Sequence, residues 1–169
     1  MLFRSLNVPP DQRGQFHEND VKALLGMRKI IDSVFVDNLA KNAQISVSTY
    51  RGESKEFAAG NLIDSNPQTY WTINDGETKS SILVQFESPK TVNFILLQEY
   101  IQLGQRVEMF SINSKVDGEW KQIAEGTTIG YKRILEVPSV ETTAIKVEIE
   151  TAKASPLINN FEIYQISDN

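Results

Sequence analysis

From Leu39 onward, apolar and polar residues alternate with a period of two. Ile45 and Val47 are spaced by Gln44, Ser46 and Ser48. Ile82, Val84 and Phe86 alternate with Ser81, Leu83 and Gln85. This is the pattern of a strand with one buried face. Residues 92–97 are apolar on both faces, which predicts a strand at the centre of a sheet. Further strands are predicted over residues 106–114, 120–124, 133–137, 145–149 and 161–166. Asp117-Gly118, between two of them, is a hairpin signal, because both residue types tolerate positive φ. About eight strands result, with turn formers between them and no helix of crossover length after Leu39. The prediction is an all-β domain, an antiparallel β-sandwich.

Residues 1–36 follow another rule. Leu6-Asn7-Val8 reads as the end of a strand, stopped by Pro9-Pro10-Asp11. Val21, Leu24, Leu25, Arg28, Ile31 and Phe35 then fall near helical spacing, so a helix is predicted over 21–34, with Asn19 or Asp20 as its N-cap. Gly26 weakens it by about 1 kcal/mol relative to Ala. A strand end and one helix bury no face alone, so this segment is an N-terminal helical appendage. The domain proper is expected over 37–169.

Composition removes several functions. The chain has 169 residues, a net charge of −5, one histidine and no cysteine. A chain of this size buries roughly 70% of its unfolded surface and needs no staple. The mixed, slightly acidic charge argues against a nucleic-acid partner. No run of about 20 apolar residues is present to cross a membrane as a helix. The first ten residues lack the apolar core of a signal peptide, so an export signal is expected upstream if there is one. A Cys–His metal cluster is impossible. His17 is expected as a loop residue or local cap partner. Glu108, Glu119, Glu136, Glu148 and Glu150 mostly alternate with apolar residues on strands, the pattern of a solvated sheet face rather than of paired catalytic acids across a cleft. Nothing in these residues supports catalysis.

Binding is better supported. In residues 61–71, Leu62 and Ile63 precede the turn formers Asp64-Ser65-Asn66-Pro67, and Thr69 and Trp71 follow. Asp64 and Thr69, five residues apart across a tight turn, can direct oxygens at one cation; an ordinary Asx-turn uses the same residues. Trp71 is expected in the core and Trp120 in cross-strand packing. Three loops, 49–52, 98–106 and 127–133, combine tyrosines, arginines and amides. Sugars are held by such groups: polar planes for hydroxyls, an aromatic face for C–H edges. Half-buried tyrosines and structural ion pairs would use the same residues.

Residues 57–71, the Asp117-Gly118-Glu119-Trp120 turn and the strand from Phe161 to Tyr164 resemble discoidin-like domains, also called coagulation factor five/eight type C or galactose-binding-like domains. Two longer stretches, Leu6 to Gly14 and Phe16 to Val21, resemble the end of the catalytic barrel of bacterial α-L-fucosidases. Residues 98–106 and 126–134 resemble the discoidin-like domain that follows that barrel. Met1 to Ser5 depart from the pattern. The resemblance implies a discoidin-like jelly roll over 37–169, with 1–36 as the last strand and helix of the barrel. It implies a non-catalytic accessory domain of a glycoside hydrolase, with the catalytic groups upstream. Its partners would be carbohydrate, in particular fucosylated or galactose-containing glycans, and the parent's catalytic barrel. A stand-alone carbohydrate-binding or adhesion module is the alternative. The family suggests a periplasmic or secreted location. The implied carbohydrate-binding residues are Arg51, Tyr100, Arg106 and Tyr131. A structural calcium would take Asp64 and Thr69, backbone oxygens near Leu62 and Asn66, and Asn160, where the family has a Glu; Glu162 stands two residues on.

Overall fold

The computed structural model describes residues 7–166, and the chain divides into two compact units, Met1–Val36 and Asp37–Asn169. In the first unit, helix α1 spans Glu18–Val34. Its N-cap is His17, whose Nδ1 accepts the Asn19 N–H at 3.2 Å. The helix therefore starts before the caps expected at Asn19 or Asp20. An imidazole nitrogen does the work of the short polar side chains usual at this position. Glu18 and Asp20 then fall in the first turn, where they complement the helix dipole. Arg28 and Asp32 pair one turn apart at 2.8 Å. Upstream, Asp11 accepts from the Arg13 guanidinium, which holds its carboxyl below the usual range. Of the predicted strand end, Leu6 lies outside the described residues, and Asn7 and Val8 are irregular.

Among its described residues the second unit holds seven strands: β1 Gln44–Val47, β2 Trp71–Thr72, β3 Ser80–Glu99, β4 Val107–Val116, β5 Glu119–Gly126, β6 Arg133–Ala152 and β7 Leu157–Tyr164. All pairings are antiparallel. Strands β3 and β6 each run 20 residues, where two shorter strands were expected in each place. Pro89 and Pro138 sit in gaps of the β3–β6 register, which slips between Gln85 and Lys90 and again between Val92 and Phe94. A residue without an N–H is tolerated at such irregularities. There the ribbon bends without breaking.

The bend builds the sandwich. The first half of β3 pairs with β1 and with the second half of β6, which in turn pairs with β4, and β4 with β5. The second half of β3 pairs with β7 and with the first half of β6, and β2 adds to β7. Two layers thus share two continuous strands. Their facing sides carry Ile82, Ile95, Leu97, Phe110, Ile112, Ile145, Ile149 and Phe161, all buried. Trp71 is wholly buried, and its Nε1 donates to the Thr49 carbonyl at 3.0 Å. Trp120 of β5 lies opposite Lys115 of β4, with the Lys146 ammonium 4.9 Å from its ring centre. Asp117 and Gly118 adopt φ of 52° and 86° between β4 and β5, as the hairpin signal predicts.

The closing strand starts at Leu157, earlier than the predicted 161, and ends at Tyr164. Asn160, just before the predicted start, pairs opposite Gln98 in the ladder. Ile166 is held by the Asn93 side chain, which donates to its carbonyl and accepts from its N–H. An amide side chain replaces the ladder there, so the strand stops.

Candidate functional site

The site begins with a buried acid. Glu99, the last residue of β3, is 1% exposed. Its Oε1 accepts the N–H groups of Arg106 and Val107 at 2.7 and 2.9 Å, and its Oε2 accepts that of Gly130 at 2.7 Å. Three backbone donors compensate a charge that burial would otherwise make costly. One carboxylate thereby ties the loop after β3 to the loop before β6. Arg106 adds a second tie, donating to the carbonyls of Ser155 and Leu103. Gln98 Nε2 adds a third, to the Tyr131 carbonyl at 3.0 Å.

Tyr100 and Tyr131 leave this knot on different loops and line one cleft of about 480 Å³. That volume lies in the range of small-molecule sites. Gln98, Asn159, Asn160 and Glu162 contribute strand residues to it, and Ser65, Asn66 and Pro67 come from the 61–71 turn. Asn160 Nδ2 donates to Gln98 Oε1 and Glu162 Oε1, and Tyr164 donates its hydroxyl to Glu162 Oε2. Burial and the Glu162 carboxylate push the Tyr164 phenol well above its ordinary value. Tyr131 is 60% exposed, so its ring is open to a ligand.

The nine residues expected at binding or metal sites divide between several places. Tyr100, Tyr131, Asn66 and Asn160 line the cleft together. Arg106 does not line it and is engaged by backbone carbonyls. Arg51 stands apart, paired with Asp75 and with its guanidinium 5.3 Å from the centre of the Phe57 ring. Leu62 is buried in the core. Asp64 Oδ1 accepts the Asn66 N–H, and Oδ2 accepts the Thr69 hydroxyl at 2.6 Å. Ser65 takes φ of 61° between them. The turn is an Asx-turn closed by its own hydrogen bonds.

Calcium prefers six to eight oxygens with several carboxylate charges. This turn offers one carboxylate whose oxygens already accept two donors, and the amide oxygen of Asn160 brings no charge where the family has a carboxylate. The donor set therefore fits calcium poorly. Among the described residues no group of three or more His, Cys, Asp or Glu side chains is placed to hold a metal ion.

Gln98, Asn159 and Glu162, and the aromatic neighbours Phe57 and Tyr70, were not among the expected site residues. For Glu162 a signal existed: Asn160 and Glu162 alternate with the buried Phe161 and Ile163, which turns both polar groups to one outer face.

The family model of the F5/8 type C domain matches residues 44–163. The chain belongs to the F5/8 type C domain family. This F5/8 type C domain is 38% identical, over 94% of its chain, to a rice protein (Oryza sativa subsp. japonica) bearing an α-L-fucosidase name, and covers 31% of it. It is 31% identical to α-L-fucosidase 1 of Arabidopsis thaliana, covering 32% of that protein. Among solved structures it is similar to a Ruminococcus gnavus GH29 fucosidase in complex with fucose, with TM-score 0.88, 30% identity, and 96% of this chain on 33% of that one. The chain thus spans about a third of the length of these relatives.

Proposed function

We propose that this F5/8 type C domain is the non-catalytic accessory domain of an α-L-fucosidase, binding carbohydrate in the cleft between Tyr100 and Tyr131. In this reading residues 1–36 are the last strand and helix of the catalytic barrel, and 37–169 the sandwich that follows. The likeness to fucosidases over nearly all of the chain, but only a third of theirs, supports an accessory role. Curated relatives from plants and a solved one from a bacterium support the enzyme class without favouring a bacterial source.

The cleft itself carries the binding half. It offers two tyrosine rings beside amide and carboxylate groups, the chemistry that suits C–H faces and hydroxyls of a sugar. Fucosylated and galactose-containing glycans are the expected ligands. Calorimetric titration of the full chain with fucosylated oligosaccharides tests this. Tyr100→Ala and Tyr131→Ala should each weaken binding about tenfold, roughly 1.4 kcal/mol. Absence of binding at millimolar sugar would leave contact with the parent's barrel as the use of these loops. Release of nitrophenol from an aryl fucoside by this chain alone would overturn the non-catalytic assignment.

A further inference from the structure

Beyond the cleft lies a row of rings that ends at its wall. Tyr100 stacks on Tyr70 with centroids 4.6 Å apart and planes 24° from parallel. Tyr70 meets Phe57 at 5.6 Å and 39°. The Arg51 guanidinium lies 5.3 Å from the Phe57 centre and is itself paired with Asp75. Tyr100 is the member of this row that reaches the cleft lining.

The row is held by the backbone beneath it. Asn61 Nδ2 donates to the carbonyls of Tyr70 and Glu56, the second being the residue before Phe57. Trp71, buried beside Tyr70, fixes the same strand end through Thr49. By contrast, among the described residues the Tyr100 side chain makes one hydrogen bond, at 3.2 Å to Gln102. Its backbone N–H is tied to Leu157 at 2.8 Å, so the ring orientation is left to the stack.

We propose that Tyr70, Phe57 and Arg51 are positioning residues that hold the Tyr100 ring in place for carbohydrate. The inference rests on the carbohydrate reading of the cleft. A ring already ordered before the ligand arrives loses less freedom on binding, which strengthens association without a new contact. Offset-stacked rings set a preferred plane, and a cation over the last ring favours the electron-rich face of the row. Arg51, expected as a sugar contact, acts through Phe57 and Tyr70 instead.

Titration of the full chain with a fucosylated oligosaccharide is run on wild type, Tyr100→Ala, Tyr70→Ala, Tyr70→Phe and Arg51→Ala, with each melting midpoint taken alongside. Tyr70→Ala is expected to weaken binding about fivefold and Arg51→Ala about twofold. Tyr70→Phe should retain wild-type affinity, since the stack needs the ring and not the hydroxyl. In the aromatic NMR spectrum, the Tyr100 ring protons should lose their ring-current shift in Tyr70→Ala. Unchanged affinity in Tyr70→Ala, with wild type binding and Tyr100→Ala impaired, overturns the positioning role and leaves the cleft reading standing. Equal losses in Tyr70→Phe and Tyr70→Ala also overturn it. Failure of wild type to bind, or wild-type affinity in Tyr100→Ala, overturns the cleft reading itself and the row's purpose with it. Should Tyr70→Ala not fold, Arg51→Ala decides, since its side chain is partly exposed and outside the core.

Discussion

Asp64 and Glu99 are both carboxylates whose two oxygens accept hydrogen bonds from nearby groups. Asp64 is exposed, and its partners lie two and five residues away in sequence. Glu99 is 1% exposed, and its partners lie seven, eight and thirty-one residues away. The chemistry is alike; the alternative partner is not. If the Asx-turn opens, water replaces what is lost. If the Glu99 knot is broken, three backbone N–H groups lose their acceptor, and two of those bonds, from Val107 and Gly130, are buried. The same kind of hydrogen bond is therefore a local trim in one place and a tertiary constraint in the other.

Substitution separates the two most sharply. Glu99→Ala should lower stability by about 3 kcal/mol, because unpaired buried donors cost more than a net hydrogen bond gains. The urea midpoint of unfolding measures it, and a loss below about 1 kcal/mol would erase the contrast. Asp64→Ala should cost about 1 kcal/mol, in the range of a lost cap. An equal loss at both positions would mean that burial is not the deciding variable.

A third effect is confined to alkaline pH. The Tyr164 phenol is raised in the folded chain by burial first and by Glu162 second. A raised acid contributes stability that is fully present below its unfolded value and is lost as pH climbs toward the folded one. Stability should therefore fall above about pH 10, where the unfolded tyrosine ionises first. Tyr164→Phe should flatten that part of the curve in pH-dependent melts. The smallest effect is expected from calcium. With one carboxylate in the turn, millimolar calcium against chelator should move the melting midpoint by less than about 1 °C. A rise of several degrees, abolished in Asp64→Ala, would show that the turn rearranges around the ion.

Legibility followed the range of the interactions. The period-two runs located β1, β4 and β5 closely, because alternation reports a half-buried strand residue by residue. Asp117-Gly118 announced its turn through φ alone. The continuity of β3 through Pro89 and of β6 through Pro138 was hidden. A proline reads as an end, and only the partner strand shows that the ladder resumes beyond it. The two-residue strand β2 was equally hidden, since Trp71-Thr72 has no period and pairs solely because β7 lies beside it. At the helix, the apolar spacing was readable and His17 was expected as a loop residue or local cap partner, but the cap itself was expected at Asn19 or Asp20, because short polar side chains are the usual N-caps.

In the cleft, Tyr100 and Tyr131 come from two of the three loops singled out by aromatic and amide content, while the third, 49–52, does not reach it. The arginines were indistinguishable from ligand contacts by type. Arg106 is taken up by the Ser155 and Leu103 carbonyls, and Arg51 by Asp75 and the Phe57 ring; neither partnership has a local signature.

What the amino-acid sequence determined by itself was therefore the class of structure and its local devices: an antiparallel β domain after a helix, a hairpin at Asp117-Gly118, an Asp64 turn able to close on itself, and a tryptophan beside it bound for the core. Each depends on residues within a few positions of one another. Only the tertiary structure decided that two long strands bend to form both layers, that Glu99 is buried under three distant N–H groups, and that a row from Arg51 to Tyr100 ends in a cleft. Those outcomes depend on which distant segments become neighbours. Folding sets that through the sum of many weak contacts, with no trace at any single position.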